Sequence, residues 1–161
     1  MEIKMGRDTY TVSNRDVIMD NGAVILVKTK GAYMSRKLFN ELLKKGVIVP
    51  YEAFDVIFSK YKGIKHYRFN NVDNTRPSVV HRLKIKAEYA KAKIGLNKLF
   101  EIRFNDRDYH VGDVIKYTVI DDEIVNAQIA DNVYTISYIT SYEQKEGYVV
   151  FGEKVVYANR I

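Results

Sequence analysis

Apolar and polar residues alternate in short runs over the first 30 residues, which predicts a β-meander. The alternation covers residues 2–5 and 9–12, with a Gly-Arg-Asp turn between them. Asp20-Asn21-Gly22 is the strongest turn signal, because an Asn-Gly pair accepts the positive φ angles of a tight hairpin. Residues 23–28 are then predicted to form the next strand.

Helical spacing replaces this alternation after residue 34. Ser35 is a typical helix N-cap, and Gly46 after two lysines is a typical helix end. The apolar stripe between them consists of Leu38, Phe39, Leu42 and Leu43. The pattern predicts one helix, whose lysine-rich face is either solvated or in contact with nucleic acid.

Residues 54–58 and 64–69 are predicted to form a hairpin in which basic and aromatic side chains are mixed. The basic members are Lys60, Lys62, Lys65, His66 and Arg68, and the aromatic members are Tyr61, Tyr67 and Phe69. Single-stranded nucleic acid fits this mixture, because bases stack on aromatic rings while phosphates pair with cations. A hairpin with its aromatic residues inward and lysines guarding an edge fits it equally well.

Residues 71–78 contain two asparagines and a proline without any periodicity, and they are predicted to be a linker. The predicted domains are therefore residues 1–70 and 79–161. The second domain contains one predicted helix at residues 86–94. Its strands are predicted at residues 79–85, 114–120, 124–129, 133–142 and 147–156, with a further strand at the start of residues 98–113.

This content predicts an α+β fold class. A small N-terminal β-meander and hairpin module with one helix is expected to precede a curled antiparallel β-barrel that is closed by one helix.

The chain carries a net charge of +6, and this charge is unevenly distributed. Residues 1–76 hold 14 Lys and Arg against 8 Asp and Glu, whereas residues 77–161 hold 12 of each. A basic first part favours a polyanionic partner, since phosphate neutralisation dominates nucleic-acid affinity. The same net charge is also ordinary for a soluble domain of this size.

Several classes of site and location are excluded or disfavoured. Cysteine is absent, which excludes disulfides and thiolate metal sites. His66, His81 and His110 lie far apart without metal-ligand spacing, so neither a metal site nor a cofactor is predicted. The chain shows no apolar signal segment and no apolar run of about 18 residues that could span a membrane. We expect a cytoplasmic protein without a membrane partner.

Residues 98–113 hold more fixed charge than a strand, a turn and a second strand need for solubility. Only four of residues 98–108 are apolar. The polar and charged side chains are Lys98, Glu101, Arg103, Asn105, Asp106, Arg107 and Asp108. We expect this stretch to bind a ligand.

Motifs in the second part resemble the DUF3850 family, which belongs to the ASCH branch of the PUA-like barrels. They are His81-x-Leu83-Lys84-Ile85, Lys98-x-x-Glu101-x-Arg103, Asn105-Asp106-Arg107-Asp108, Val111-Gly112-Asp113 and Gly147-Tyr148-Val149-Val150. The resemblance covers about residues 79–157. It implies a PUA-like β-barrel with a cleft near a Gly-x-Lys-x-x-Glu-x-Arg motif that is proposed to bind RNA. Residues 1–70 resemble small modules of Gram-positive phage proteins.

The sequence departs from that motif at one point, because Gly95 lies three residues before Lys98 instead of two. Some ASCH proteins hydrolyse RNA or a modified cytidine, which implies a catalytic alternative. In this hypothesis Lys98 acts as a base with Glu101 as its proton partner, and His81 shuttles a proton.

The binding hypothesis uses the same stretch without chemistry. Arg103 and Arg107 would clamp a phosphate, and strand alternation places Glu101 and Arg103 on one face with Lys98 on the other. The predicted RNA-binding residues are Lys98, Arg103, Asn105, Asp106, Arg107, Lys84, Lys60, Lys62, Lys65 and Arg68. A ligand-free alternative is that the acidic and basic residues of this stretch pair with one another to hold the turn.

Three function hypotheses follow. The first is an RNA-binding protein of phage or mobile-element type, which uses the PUA-like cleft and the basic N-terminal module. The second is a metal-independent ribonuclease that uses Lys98 and Glu101. The third is an anti-CRISPR or similar interaction protein that acts on a host guide-RNA–nuclease complex, so that the RNA partner belongs to a host ribonucleoprotein.

Overall fold

The structure, a computed structural model, describes residues 1–58, 63–70, 76 and 78–157. The chain divides into two compact units, Met1–Pro77 and Ser78–Ile161. Both units combine small sheets with short helices, and the predicted α+β fold class is confirmed. No helix within the described ranges is both long and apolar enough to cross a membrane.

The first unit contains a two-stranded and a five-stranded antiparallel sheet. The two-stranded sheet pairs β1 (Glu2–Met5) with β2 (Asp8–Thr11). The elements that follow are β3 (Val17–Asp20), β4 (Ile25–Val27), β5 (Ala32–Met34), α1 (Arg36–Lys44), β6 (Ile48–Pro50), α2 (Glu52–Ile57) and β7 (Lys65–Phe69). The five strands lie in the order β5-β4-β3-β7-β6, so β7 is interior to its sheet.

Local signals account for the turn and the helix that were predicted in this unit. Asp20 Oδ1 accepts a hydrogen bond from the amide of Gly22, whose φ is +89°. This geometry connects β3 to β4, as the Asn-Gly signal predicts. Ser35 Oγ accepts from the amide of Leu38 at 3.2 Å and caps α1, which buries Phe39 against the sheet core.

The predicted hairpin at residues 54–58 and 64–69 is wrong. Residues 52–57 form α2, and β7 pairs with β3 and β6 instead. Phe54 and Phe58 are four residues apart, which is helical spacing, and both rings lie 5.7 Å from the His66 ring of β7. The aromatic run therefore packs as one face of a helix and not as alternate positions of a strand.

The second unit is one curled five-stranded sheet with two helices. Its elements are β8 (Val80–Ile85), α3 (Ala87–Ile94), β9 (Phe100–Phe104), β10 (Val114–Val119), α4 (Glu123–Ile129), β11 (Val133–Thr140) and β12 (Tyr148–Tyr157). The strand order is β8-β10-β11-β12-β9, which leaves β8 and β9 at the two edges. The sheet surrounds a core that includes Ala90 of α3 and Ile129 of α4.

Two features of this unit differ from the sequence-based expectation of an antiparallel barrel with one helix. The sheet is mixed, because β8 pairs with β10 in parallel while the other pairs are antiparallel. Residues 124–129 form α4 and not a strand. Asp122 caps this helix, and Val125 and Ile129 are buried one turn apart, while Ile124 points to solvent.

The strand β9 has its apolar side outward. Phe100, Ile102 and Phe104 are 47%, 52% and 55% exposed, whereas Glu101 between them is buried. The alternation predicted for this strand is therefore present, and Glu101 and Arg103 do share a face. The charged face is the one that points into the unit.

Candidate functional site

Arginine side chains bridge the two edge strands of the second unit. Arg103 Nη2 on β9 donates a 2.9 Å hydrogen bond to the carbonyl oxygen of Lys84 on β8. Arg107 Nη1 donates a 2.9 Å bond to the carbonyl oxygen of Arg82, two residues earlier on the same strand. These contacts occupy backbone acceptors that a neighbouring strand would otherwise use. We call this junction between β8 and β9 the seam.

A cleft of about 380 Å³ lies at the seam. Its lining residues are Arg82, Leu83, Lys84, Arg103, Phe104, Asp106, Arg107 and Tyr109. Four of these side chains are cationic and one is anionic, so the cleft favours an anionic ligand. Of the two aromatic residues in the lining, Phe104 is exposed, whereas the Tyr109 ring is buried against the rings of His81 and Phe151. The cleft therefore offers charge for a phosphate and apolar surface for a planar group.

Glu101 contacts three cationic side chains, one of which, Arg103, lines the cleft. Its carboxylate accepts from Lys98 Nζ at 2.8 Å and from Arg103 Nε at 3.2 Å, and Lys93 Nζ lies 3.1 Å away. Burial by itself raises the pKa of Glu101, but the charge of Lys93 and the hydrogen bond from Lys98 outweigh it. The pKa of Glu101 therefore lies below its ordinary value of 4.5, and the carboxylate stays charged.

Lys93 is an interior member of this network that the sequence analysis missed. Its side chain, on α3, is 0% exposed and pairs with Glu153 of β12, which also accepts from the Tyr117 hydroxyl. Burial raises the pKa of Glu153, against the opposing effect of Lys93. Burial and the charge of Glu153 raise the pKa of Tyr117 well above its ordinary value.

A sequence signal for this interior pair did exist. Val149, Phe151 and Glu153 occupy alternate positions of β12 and are all buried, so Glu153 falls on the core-facing register. Lys93 lies one turn after the buried Ala90 on α3. A buried acid on a strand requires a buried cation, and Lys93 has the helical position to supply it.

Lys98 does not line the cleft, but it donates to Glu101, which also accepts from the cleft-lining Arg103. Its ammonium also donates to the carbonyl oxygen of Phe100 at 2.6 Å and lies 4.5 Å from the Phe100 ring centroid. The predicted separation of Lys98 from Glu101 by strand alternation does not apply, because β9 begins only at Phe100. The shifted Gly95 is the C-cap of α3, and Leu96 takes the left-handed conformation, with φ +59°.

Most of the polar motif at residues 105–113 builds the loop between β9 and β10. Asn105 Oδ1 accepts from the amide of Tyr109 at 3.1 Å. Asp113 is fully buried and accepts from the amides of Val79 and His110. Asp106 and Arg107 are the members of the Asn-Asp-Arg-Asp block that line the cleft.

His81 is buried on the inner face of β8. Its Nε2 lies 2.7 Å from Asp113 Oδ2, and its ring lies 4.7 Å from that of Tyr109. The structure therefore places His81 beneath the cleft wall and not among the lining residues.

Four of the predicted RNA-binding residues belong to the first unit. Lys65 is exposed on β7, and Arg68 Nη1 lies 3.4 Å from the carbonyl oxygen of Phe69. Lys60 and Lys62 lie outside the described residues. Among the residues predicted for RNA binding, the structure brings Lys84, Arg103, Asp106 and Arg107 together in one cleft.

A comparison with protein families bears on this domain. Residues 80–152 match the model of the DUF3850 family, described as a domain of unknown function. The matched range runs from the start of β8 into β12 and contains the whole cleft lining. No curated protein matches the chain.

Proposed function

We propose that the domain whose residues 80–152 match the DUF3850 family model binds RNA through the cleft at the seam. The observation that carries the proposal is the lining of the cleft, which combines four cationic side chains and the exposed Phe104 ring with only one carboxylate. Phosphate contacts supply affinity in nucleic-acid complexes, and unpaired bases are recognised by stacking.

The two bridging arginines are fixed before any ligand arrives. Arg103 is held by Glu101 and by the carbonyl oxygen of Lys84, and Arg107 by the carbonyl oxygen of Arg82. Each guanidinium has five N–H donors, and these contacts use only some of them. Because the side chains are already ordered, binding a phosphate costs less rotamer entropy than it would with free side chains. Bidentate contact with phosphate is the geometry that arginine favours.

The geometry supports binding better than cleavage. Glu101 accepts from Lys98 and Arg103 and pairs with buried Lys93, so its oxygens are already committed to cations. Lys98 donates to Glu101 and to the carbonyl oxygen of Phe100. A general base requires a lone pair aimed at a substrate proton, and these contacts aim both groups at the protein itself.

The basic first unit is expected to add long-range attraction. Residues 1–76 carry all of the net charge of +6. Lys65 is exposed on β7, and cations of this kind contact the RNA backbone without reading its sequence. In this proposal the first unit raises the association rate and the total affinity, whereas the cleft selects the nucleotide.

Salt-dependent binding of a labelled single-stranded RNA of about 12 nucleotides tests the proposal. We expect Arg107→Ala and the double variant Arg103→Ala/Arg107→Ala to weaken binding by about 5- to 100-fold. The double variant should also reduce the magnitude of the salt slope by about 1.4, because two phosphate contacts are lost. Lys91→Ala, which removes an exposed cation on α3, is the matched control.

Arg107 is the safer single substitution, because its side chain is about half exposed. Circular dichroism of each variant establishes that the fold is retained. Equal salt slopes for the wild type and the double variant would overturn the proposal, as would a wild type that binds no RNA. Gel analysis of the same RNA after incubation detects cleavage, which the proposal does not include.

A further inference from the structure

The outer surface of the sheet edge formed by β9, β12 and β11 is unusually apolar. Opposite residues on these strands form consecutive rows across the surface. Phe100 faces Gly152, which faces Tyr138, and Ile102 faces Val150 in the next row. Tyr138 is 64% exposed, and the three apolar residues of β9 are about half exposed. An outward strand face in a soluble domain is ordinarily polar, so this surface requires an explanation.

We call this surface the outer aromatic face, defined by Phe100, Ile102, Phe104, Tyr138 and Tyr148. The Phe104 and Tyr148 rings meet edge to face with centroids 5.5 Å apart. Phe104 also lines the cleft at the seam. The outer aromatic face and the cleft are therefore one continuous surface that turns around the edge of β9 at Phe104.

Cations accompany the aromatic rings on this face. Lys98 Nζ lies 4.5 Å from the Phe100 ring centroid, and Lys145 Nζ lies 5.9 Å from that of Tyr148. Lys154 is exposed two residues beyond Gly152 on β12. Lys98 is held by Glu101, so within the described part of this face Lys145 and Lys154 are the ammonium groups free to meet phosphates, and rings for bases with such cations nearby are the composition of sites for single-stranded nucleic acid.

A glycine lies between two of the rings in the strand register. Gly152 lies between Phe100 and Tyr138 in the strand register, and the flanking backbones are about 10 Å apart, two inter-strand spacings. A Cβ atom at position 152 would point to the same side and lie 3.3 Å from Ser137 Oγ. Glycine in a strand interior is unfavourable unless something approaches its backbone closely. Here the group that approaches is the Ser137 hydroxyl, and the glycine keeps the row between Phe100 and Tyr138 free of a larger side chain.

We infer that the outer aromatic face stacks unpaired bases of single-stranded RNA whose backbone continues from the cleft around Phe104. This inference rests on the proposed function and adds to it the class of substrate, which is unpaired and read with little sequence preference. A second copy of the chain fits this face less well. A symmetric dimer would bring the same lysines of both copies into one interface, where like charges repel.

The test uses substitutions that separate stacking from general apolar contact. Phe100→Leu keeps an apolar side chain but removes the ring, whereas Phe100→Tyr keeps the ring. We expect Phe100→Leu and Tyr138→Ala to weaken binding of the single-stranded RNA by about 5- to 150-fold, with an unchanged salt slope. Phe100→Tyr should bind like the wild type. Ile124→Ala, at an exposed apolar position of α4, is the matched control.

A blunt RNA duplex of equal length should show no difference between the wild type and Phe100→Leu, because its bases are already stacked. If Phe100→Leu binds the single-stranded RNA as tightly as the wild type while Arg107→Ala binds it more weakly, this inference is overturned and the proposed function still stands. Sedimentation of the wild type as a dimer that Phe100→Leu dissociates also overturns it, since the face is then a contact between copies.

Discussion

Arg103 Nη2 lies 2.9 Å from the carbonyl oxygen of Lys84, so a side chain closes the sheet where a neighbouring strand would continue it. β8 and β9 are the edges of the five-stranded sheet and have no backbone ladder between them. The guanidinium bridges the gap and also contacts Glu101. The arginine side chain spans a greater distance than a backbone hydrogen bond, so β8 and β9 stay apart at the seam. The space between them is the cleft.

The bridge should be specific for arginine. Arg103→Lys retains the charge but cannot contact Glu101 and the carbonyl oxygen of Lys84 through one planar group. We expect a loss of about 1–2 kcal/mol in the free energy of unfolding, measured by urea denaturation of the full chain. Arg107→Lys, at a more exposed position, should lose less than Arg103→Lys. The reverse order would show that the bridge from Arg103 does not stabilise the seam.

Removal of the buried lysine should be far more costly than removal of an exposed one. Lys93→Met leaves Glu153 buried without its cation and takes one of three cations from Glu101. We expect a loss of about 3–5 kcal/mol in unfolding free energy. Lys91→Met on the same helix should change it by less than about 0.5 kcal/mol, because Lys91 is largely exposed.

The double variant Lys93→Met/Glu153→Gln tests the cause of that loss. Neutralising Glu153 removes the stranded charge, so the double variant should be more stable than Lys93→Met alone. If the loss of stability of the double variant relative to the wild type instead equals the sum of the two single losses, the ion pair is not the reason for the loss.

Acid should destabilise the second unit through Glu101. The folded-state pKa of this carboxyl is below its ordinary value, so the folded state binds its proton less readily than the unfolded state. The stabilisation is complete above the ordinary pKa of 4.5 and is lost as the pH falls through the lower folded-state pKa. Unfolding free energy measured against pH should therefore fall less steeply for Glu101→Gln in acid. An unchanged slope would contradict the assignment.

Substitution of Gly147 should be destabilising because the Phe104 ring lies against its backbone. A Cβ atom at Gly147, whose φ is +77°, would lie 2.4 Å from Phe104 Cε2. We expect Gly147→Ala to be more destabilising than Gly112→Ala, which also has a positive φ but only a distant contact. The Phe104→Ala background should abolish this difference, because the clash is then absent. Thermal unfolding of the four variants gives the coupling.

The two aspartates of the polar motif should behave differently. Asp113→Ala leaves the amides of Val79 and His110 without their acceptor inside the unit, and we expect a loss of about 2–4 kcal/mol. Asp106 is exposed on the cleft, so Asp106→Ala should change unfolding free energy by less than about 0.5 kcal/mol. Equal losses would mean that Asp106 also holds the loop.

The sequence predicts the α+β class and the shared face of Glu101 and Arg103, because both depend on local periodicity, but it does not predict that this face points inward. It does not predict α2 and α4, for two different reasons. Asp122 is an N-cap signal that the apolar run after it obscured. α2 is six residues long and has no side-chain cap at Tyr51, so only its packing on β7 identifies it.

The seam could not be predicted from local patterns. Whether Arg103 bridges to Lys84 depends on which strands are the edges, and the strand order is set by pairings far apart in sequence. The role of Lys93 is hidden for the same reason, since Glu153 lies 60 residues later in the chain. The high charge of residues 98–113 predicts a ligand site, but in the structure Asn105 and Asp113 accept hydrogen bonds from backbone amides of the loop.

The shared carboxylate of Glu101 connects the surface of the second unit to its interior. One oxygen contacts Arg103, which lines the cleft, and the other contacts the buried Lys93. In the proposed complex, a phosphate bound to Arg103 would change the charge balance around Glu101 and Lys93, and through Lys93 that around Glu153 and the Tyr117 hydroxyl. The cleft and the Tyr117 hydroxyl are therefore the two ends of one chain of ion pairs and hydrogen bonds that runs through the unit.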